Sequence, residues 1–533
     1  MEVECIPFVK TGYFSKIIAD YLAESDSIKE FYEYSPQLAS FATAIENKKT
    51  TLETRSVLSA AIDSQYKTAK LKLEKYEAVS RNIALLKEEN TFTVTTGHQL
   101  CLFTGPLYFI YKIVSTINLC KQLKAIHPDK EFVPIYWMAT EDHDLAEVNH
   151  FYFKGEKITW NTKQTGAVGR MNLEGMDDVF EEFSKYLVDY SNHAEQLKTL
   201  FRNAYLKHNN LADATRYLVN ELFHEQGLVI LDGDDRDLKS LFVPIMEAEL
   251  KLEISSKKVD ETSAKLSKQY KIQVNPREIN LFYLKGDTRN RIVKSGDFYE
   301  VNETTIRFTE EEIFEELKNK PENFSPNVIL RPIYEECILP NLAYIGGGGE
   351  LAYWFQLKST FDFFSIPMPM LLLRNSVMWM DNKQHNFFKS LNLSLEDLFE
   401  PQGDLTKKWV IASTKEDLTL AQEKAAIESV YTALASKLAA IDSSLSEHLK
   451  AKQTKHLNDL DQVSEKYIRT VRKQAEVETR KINYLKTTLY PNGGLQERKD
   501  NFSNVYMALG AEMIELLLGE LKLPTSDFTV FKA

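Results

Sequence analysis

Cysteine is scarce: the 533 residues hold four, Cys5, Cys101, Cys120 and Cys337. No two have the C-x-x-C spacing of a metal or redox motif, and four thiols in so long a chain make no disulfide framework. A reducing compartment, the cytoplasm, is the expectation. Long apolar runs are also missing. None reaches the ~20 residues that a membrane-spanning helix needs, and MEVECIPFVKTGYF lacks the basic-then-apolar order of a signal peptide. No membrane partner is expected. Nor is there a basic excess: 65 Lys and Arg stand against 77 Asp and Glu, a net charge of −12. Broad nucleic-acid binding requires a basic footprint, so no nucleic-acid partner is expected either. Anionic small molecules remain compatible, provided Arg, Lys or helix N-termini are placed locally.

What is present is ordinary globular material, 43% hydrophobic and 27% charged. Single cores stop growing at ~250–300 residues, so this length predicts two or three structural units. Residues 13–90 show apolar positions three and four apart, such as Ile17, Ile18, Tyr21 and Leu22. Residues 1–90 therefore read as an N-terminal helical layer. Short apolar runs then alternate with helical patterns. TFTVTT ends on Gly97, EFVPIYWMAT runs into EDHD, and GLVILDGDD precedes a helix from Asp237. Two further runs are read within residues 327–357, and MPMLLLRNS is another. The alternation predicts an α/β core over 91–400, a Rossmann-like parallel sheet with right-handed crossovers. Insertions are read at about 151–225 and 255–325.

Neither glycine nor proline occurs from Asp404 to Tyr490. Ile427, Val430, Leu434, Leu438, Ile441, Leu445 and Leu449 recur at 3, 4, 4, 3, 4, 4. This eleven-residue repeat favours a straight or slightly right-handed coil. The stripe weakens at Lys450–Lys455 and resumes at Leu457. Residues 404–490 thus read as an antiparallel helical coiled coil turning near 450–455. Residues 491–533 read as a helical segment returning to the core.

Ligands of open parallel sheets bind beyond the carboxyl ends of the strands, which selects four motifs. In TGHQLCLFTGP, Gly97 and Gly105 permit close backbone approach. His98 and Gln99 could bond a phosphate or carboxylate, and Thr104 opens the TGP turn, with Pro106 suited to a first helical position. The pattern lacks the Gly-Lys-Ser/Thr of a phosphate-binding loop; a tight structural turn explains it equally well. In EDHD, Asp142, His143 and Asp144 read as polar groups of a pocket and Glu141 as a helix cap. A metal site would need further ligands that the sequence does not supply. In IGGGGELAYW, four glycines, Gly346, Gly347, Gly348 and Gly349, are costly in chain entropy unless a ligand approaches the backbone. Glu350, Tyr353 and Gln356 follow on one helical face, with Arg331 and Glu335 upstream. In LLLRNS, Arg374 is either a pocket cation or a solvated charge.

These segments, in order, resemble one family, the bacillithiol-synthesis cysteine-adding enzymes or cysteine ligases. The resemblance rests on TGHQLCLFTGPLYFIYK, PIYWMATEDHDLAEVNH, VILRPIYEECILPNLAYIGGGGELAYWFQL and the late LQER. It runs from about Ile6 to the C-terminus. His98 stands where the pattern leads one to expect Gln, and Gly348 where it leads one to expect Pro. The resemblance implies a core similar to class I aminoacyl-tRNA synthetases and nucleotidyltransferases, and a coiled-coil arm that forms a homodimer. It implies a ligase joining L-cysteine to glucosaminyl-malate as an amide. Amide formation from a free carboxylate in water needs activation, for which adenylation by ATP is the natural chemistry. The glycine turns Gly97–Pro106 and Gly346–Glu350 would then hold phosphates. Asp142, Asp144 and Glu350 would receive the cysteine ammonium, while Arg331, Arg374 and Lys112 would receive the malate carboxylates. His98 or His143 would act as base. No lysine-rich loop of the synthetase type follows the last strand. Two other readings stay open: a nucleotidyltransferase or synthetase-like enzyme acting on another small acid, and a non-catalytic coiled-coil assembly protein.

Overall fold

The computed structural model describes residues 1–187, 191–439 and 444–533. They fall into two units. The larger comprises Pro7–Val377 and Glu497–Thr529, the smaller Met1–Ile6, Met378–Gln496 and Val530–Ala533.

Five strands form the central sheet of the larger unit: β1 (Thr91–His98), β2 (Glu131–Met138), β3 (Val229–Asp232), β4 (Asn341–Gly346) and β5 (Met370–Leu373). Their order is β5-β4-β1-β2-β3, every pair parallel. The chain starts in the middle, builds outward through β2 and β3, then returns to the other side of β1. The switch in direction therefore lies between β1 and β4, where doubly wound sheets open a crevice. The burial of β1 explains its composition. All eight of its residues are buried, as a strand covered on both faces must be, and its β-branched residues suit the pleat. Two of its hydroxyls are satisfied within the sheet: Thr95 donates to Asn341 Oδ1 at 2.9 Å and Thr96 to the Ile345 carbonyl at 2.8 Å.

The helices that position the site are α1 (Tyr108–Ile126), α2 (Leu145–Val148), α3 (Arg236–Leu252), α4 (Arg331–Ile338) and α5 (Gly348–Trp354). Helix α1 is buried nearly all round, which is why its sequence shows little amphipathic periodicity. Two segments of the larger unit carry structure of their own. One holds the hairpin His150–Phe153/Glu156–Thr159 and three helices between Met176 and Phe223. The other holds a five-stranded sheet whose neighbouring strands Leu281–Lys285, Thr288–Ser295 and Phe298–Val301 pair antiparallel.

Three local expectations are corrected. Of the two runs expected within residues 327–357, β4 is a strand, whereas RPIYEE belongs to the helix α4. The Asn327 side chain accepts the Ile329 N–H at 2.9 Å, and Pro332 sits in the first turn, where its missing N–H costs nothing. A short apolar run cannot separate the two states by periodicity. Pro106 precedes α1 rather than opening it. The turn before it is held from afar: Asn501 Nδ2 donates to the carbonyls of Phe103 (2.7 Å) and Gly105 (2.6 Å). Gly105 has φ +63°, and a Cβ there would lie 2.5 Å from Cys101 Cβ. Finally, both chain ends contain strands in segments read as helical. Glu2–Pro7, Asp527–Lys532 and Val377–Met380 form a three-stranded sheet in that order.

In the smaller unit, helices span Ala421–Ala439 and Ser444–Gln474. Residues 450–455 lie inside the second helix, so no turn occurs there. The lysines interrupt the apolar stripe without breaking a helix, since Lys is a good helix former. Ile441 lies outside the described residues. Lys424 pairs with Asp461 at 2.6 Å, and Tyr431 Oη bonds His456 Nδ1 at 2.9 Å across the two helices. Part of the stripe faces outward: Val430 is 57% exposed and Tyr467 50%. Among the described residues, no helix is long and apolar enough to cross a membrane.

The Asn501 anchor generates a test. Asn501→Ala leaves two buried carbonyls without donors and is expected to destabilise the fold by about 1–3 kcal/mol. Urea unfolding measures this; an unchanged midpoint would refute the anchoring role.

Candidate active site

A cleft of about 730 Å³ opens at the carboxyl ends of β1, β2 and β4. Gly97, His98 and Gln99 line it from β1, Met138 to His143 from β2, and Gly347 to Glu350 from the turn after β4. Phe282, Arg289 and Arg291 reach it from the antiparallel sheet. Three of the four strand-end motifs singled out in the sequence thus meet at the topological switch, and Arg374 of the fourth, LLLRNS, also lines the cleft.

The EDHD loop divides its labour. Glu141 pairs with Lys239 at 2.5 Å, and the same ammonium reaches Asp234 at 3.2 Å. Glu141 therefore caps no helix. Asp234 accepts in turn from Nε and Nη2 of Arg170, each at 2.7 Å. Burial would raise Asp234, but Lys239 and Arg170 outweigh it and bring it to about 2. Its neighbour Asp232, buried and close to that negative charge, is pushed up to about 7. Asp142 also lines the cleft, and it forms no ion pair with Lys239. It accepts from Gln99 Nε2 (2.6 Å) and the His143 N–H (2.7 Å). Burial alone would raise it, yet these donors, with Arg289 and Arg331 nearby, hold it below its usual range. His143 Nδ1 lies 2.8 Å from Arg289 Nη1, and burial followed by that guanidinium lowers its pKa. Asp144 is not among the lining residues; it caps α2, accepting the Glu147 N–H at 3.3 Å.

The other wall is built around Lys112. Its side chain is 1% exposed, and Nζ donates to the Gly97 carbonyl and to both Glu350 oxygens at 2.7 and 2.8 Å. Glu350 also accepts from the Gly347 N–H (2.8 Å) and Tyr344 Oη (3.0 Å). Burial opposes ionisation there, but Lys112 prevails and brings Glu350 to about 2. Lys112 is thus spent inside the protein and does not line the cleft, contrary to its expected role. His98 does line it. Burial, then the charge of Lys112, drop His98 to about 3, so the ring is neutral, and its buried Nε2 has no partner.

The remaining expected residues separate into two groups. Arg331 lines the cleft and donates to Tyr353 Oη at 3.1 Å. Arg374 also lines it but is neutralised by Glu497 through bonds of 3.0 and 2.7 Å, leaving a buried Nε without a partner. Thr104, Gly105, Gly346, Glu335 and Gln356 lie outside the lining. Gln356 is a structural buttress: its Oε1 accepts the Gln273 and Val274 N–H groups at 2.9 and 3.1 Å. Thr104 turns away with the Asn501-anchored loop. Sequence reasoning missed Arg277, Arg289, Arg291 and Arg498, which also line the cleft. Only Arg498 had a signal, in the LQER stretch. Among the described residues, no group of three or more His, Cys, Asp or Glu side chains is placed to hold a metal ion.

Glu335 is 1% exposed behind Gly97, and neither carboxylate oxygen has a hydrogen-bond partner. Burial pushes it up to about 8 although Arg331 Nε stands 3.6 Å away. A raised folded-state pKa contributes stability that is present below the unfolded value near 4.5 and lost as pH rises through 8. Glu335→Gln, which cannot ionise, is therefore expected to unfold at a higher temperature than the native chain at pH 9 and at a similar one at pH 5. A native chain that unfolds at the same temperature as Glu335→Gln at pH 9 would contradict the burial argument.

Comparison with known proteins agrees with this geometry. The family model for the bacillithiol biosynthesis BshC N-terminal Rossmann-like domain matches residues 1–375, and that for the C-terminal coiled-coil domain matches residues 377–533. A Flavobacterium psychrophilum protein named "Putative cysteine ligase BshC" is 46% identical over 100% of both chains. Proteins of the same name from Flavobacterium johnsoniae and Christiangramia forsetii are 44% and 43% identical, each over 99% of both chains. A solved Campylobacter jejuni structure titled as an arginyl-tRNA synthetase covers 84% of this chain and 98% of its own at 9% identity and a TM-score of 0.22, too low to carry an argument. With the two family models together matching residues 1–375 and 377–533 and the cleft at the switch of a parallel sheet, the chain belongs to the bacillithiol biosynthesis BshC family.

Proposed function

We propose that this chain is a cytoplasmic cysteine ligase that forms an amide between the carboxyl of L-cysteine and the amine of glucosaminyl-malate, giving bacillithiol. The observation that carries the reading is a cleft offering both signs of charge. An ionised Asp142 stands in the same cavity as Arg277, Arg291 and Arg498, which pair with no carboxylate among the described residues. A zwitterionic amino acid and a polyanionic partner need that combination. Asp142 receives the cysteine ammonium; Arg291, Arg331 and Arg498 receive carboxylate or phosphate oxygens. Asp144, Lys112 and Arg374 support the walls through the partners they already hold. His98 is a hydrogen-bonding group rather than the base, because a group near 3 is far from the pH at which a base works best. Activation by ATP belongs to the proposal. The partnerless Arg374 Nε and the open arginines fit an anion beside the Gly347–Gly349 turn, and the phosphates would supply the leaving group.

The exposed Val430, Leu434, Val463 and Tyr467 of the helix pair support a homodimer. Apolar side chains on a helical stripe favour burial against a second copy. Sedimentation of the full chain should show a dimer, and joint Val430→Glu and Tyr467→Glu substitution should yield monomer. A native monomer would end this part of the reading.

The central test is mass spectrometry of reactions containing glucosaminyl-malate and cysteine, with and without ATP. Bacillithiol is expected in the ATP reaction; no product in either sinks the ligase reading, and equal product in both sinks ATP activation alone. Asp142→Asn is expected to lower kcat/KM for cysteine about 10²-fold; an unaffected value would remove Asp142 from cysteine binding.

A further inference from the structure

The contact between His143 and Arg289 joins the EDHD loop to the antiparallel sheet. Arg289 lies on the strand Thr288–Ser295. Its Nε donates to Ser325 Oγ at 3.2 Å, and its guanidinium lies 4.1 Å from the centre of the Phe282 ring. These contacts fix the direction of its Nη1, which lies 2.8 Å from His143 Nδ1. A guanidinium has donors and no acceptor. Nδ1 must therefore accept, and a ring that accepts at Nδ1 is neutral and carries its proton on Nε2.

We propose that Arg289 is a positioning residue that fixes the neutral His143 ring with its proton on Nε2, so that His143 meets substrate in the cleft as a hydrogen-bond donor and not as a base. The ligand group this arrangement suits is an oxygen acceptor, a carboxylate or phosphate oxygen. This role rests on the reading of the cleft as the reaction site. The tautomer itself does not, because it is a property of the free protein.

Charged groups on both sides of the ring bear on its titration. Asp142 and Asp144, from its own loop, favour the protonated ring. Burial and Arg289, from the facing strand, disfavour it and prevail. Removing Arg289 should therefore raise the pH at which His143 takes up a second proton, whereas a purely structural arginine would leave that titration where it is.

The test is nitrogen NMR of the full chain carrying ¹⁵N-labelled histidine, with His143→Gln to assign the signal. In the native chain the His143 ring should show a protonated Nε2 and a bare Nδ1 from pH 6 to 8. A proton on Nδ1, or a doubly protonated ring at pH 7, overturns the proposal. Arg289→Met should shift the titration upward by about one pH unit and mix the tautomers, while Arg289→Lys, which keeps charge and donor, should restore the native pattern. An unmoved titration in a folded Arg289→Met chain also overturns it. Should that variant unfold, the native spectrum still decides. Failure of the ligase reading would appear as missing product with the tautomer intact, so the two failures are distinguishable.

Discussion

The ion pair between Lys112 and Glu350 is the constraint around which the cleft is organised. A buried ammonium is costly, several kcal/mol even after relaxation, unless every proton finds an acceptor. Lys112 finds them at the end of β1, on the Gly97 carbonyl, and at the start of α5, on Glu350. Glu350 completes the exchange by accepting the Gly347 N–H and Tyr344 Oη. One side chain of α1 thereby ties β1 to β4 across the topological switch. Burial, followed by the same charge, keeps the neighbouring His98 neutral.

A second buried network plays the matching role under β2 and β3. Lys239 holds Glu141 and Asp234, and Arg170 holds Asp234 from the other side. Glu141 is thereby pinned at the edge of the cleft that it lines together with Asp142 and His143. Breaking either network by removing one partner would leave a buried charge unpaired, so the rigidity of both strand ends depends on charge pairing rather than on apolar contact alone.

Much of the site was legible because strand ends announce themselves. Apolar runs that stop at TGHQ, EDHD and GGGGE mark the carboxyl edge of a parallel sheet, and that edge is where the cleft lies. The failures have a common form. The residue types of Lys112, Glu335 and Gln356 suit ligands, but the fold buries all three against other parts of the chain. Asp144 was grouped with Asp142, yet it bonds the backbone of α2. Arg277, Arg289 and Arg291 were overlooked because they lie in a segment whose pattern shows hairpins and nothing of where those hairpins fold.

By itself the sequence determined the parallel α/β core, the order of its strand-end motifs and the long helices of the arm. These depend on periodicity and on local turn chemistry, which neighbouring residues carry. The tertiary structure decided which polar groups stay open to the cleft and which are spent on one another, that RPIYEE is a helix, and that both chain ends supply strands to one sheet. Those outcomes depend on partners far apart in the chain, such as Lys112 with Glu350 or Asn501 with Gly105. A residue's chemistry is written in its own position, but its availability depends on what the fold brings within hydrogen-bond reach.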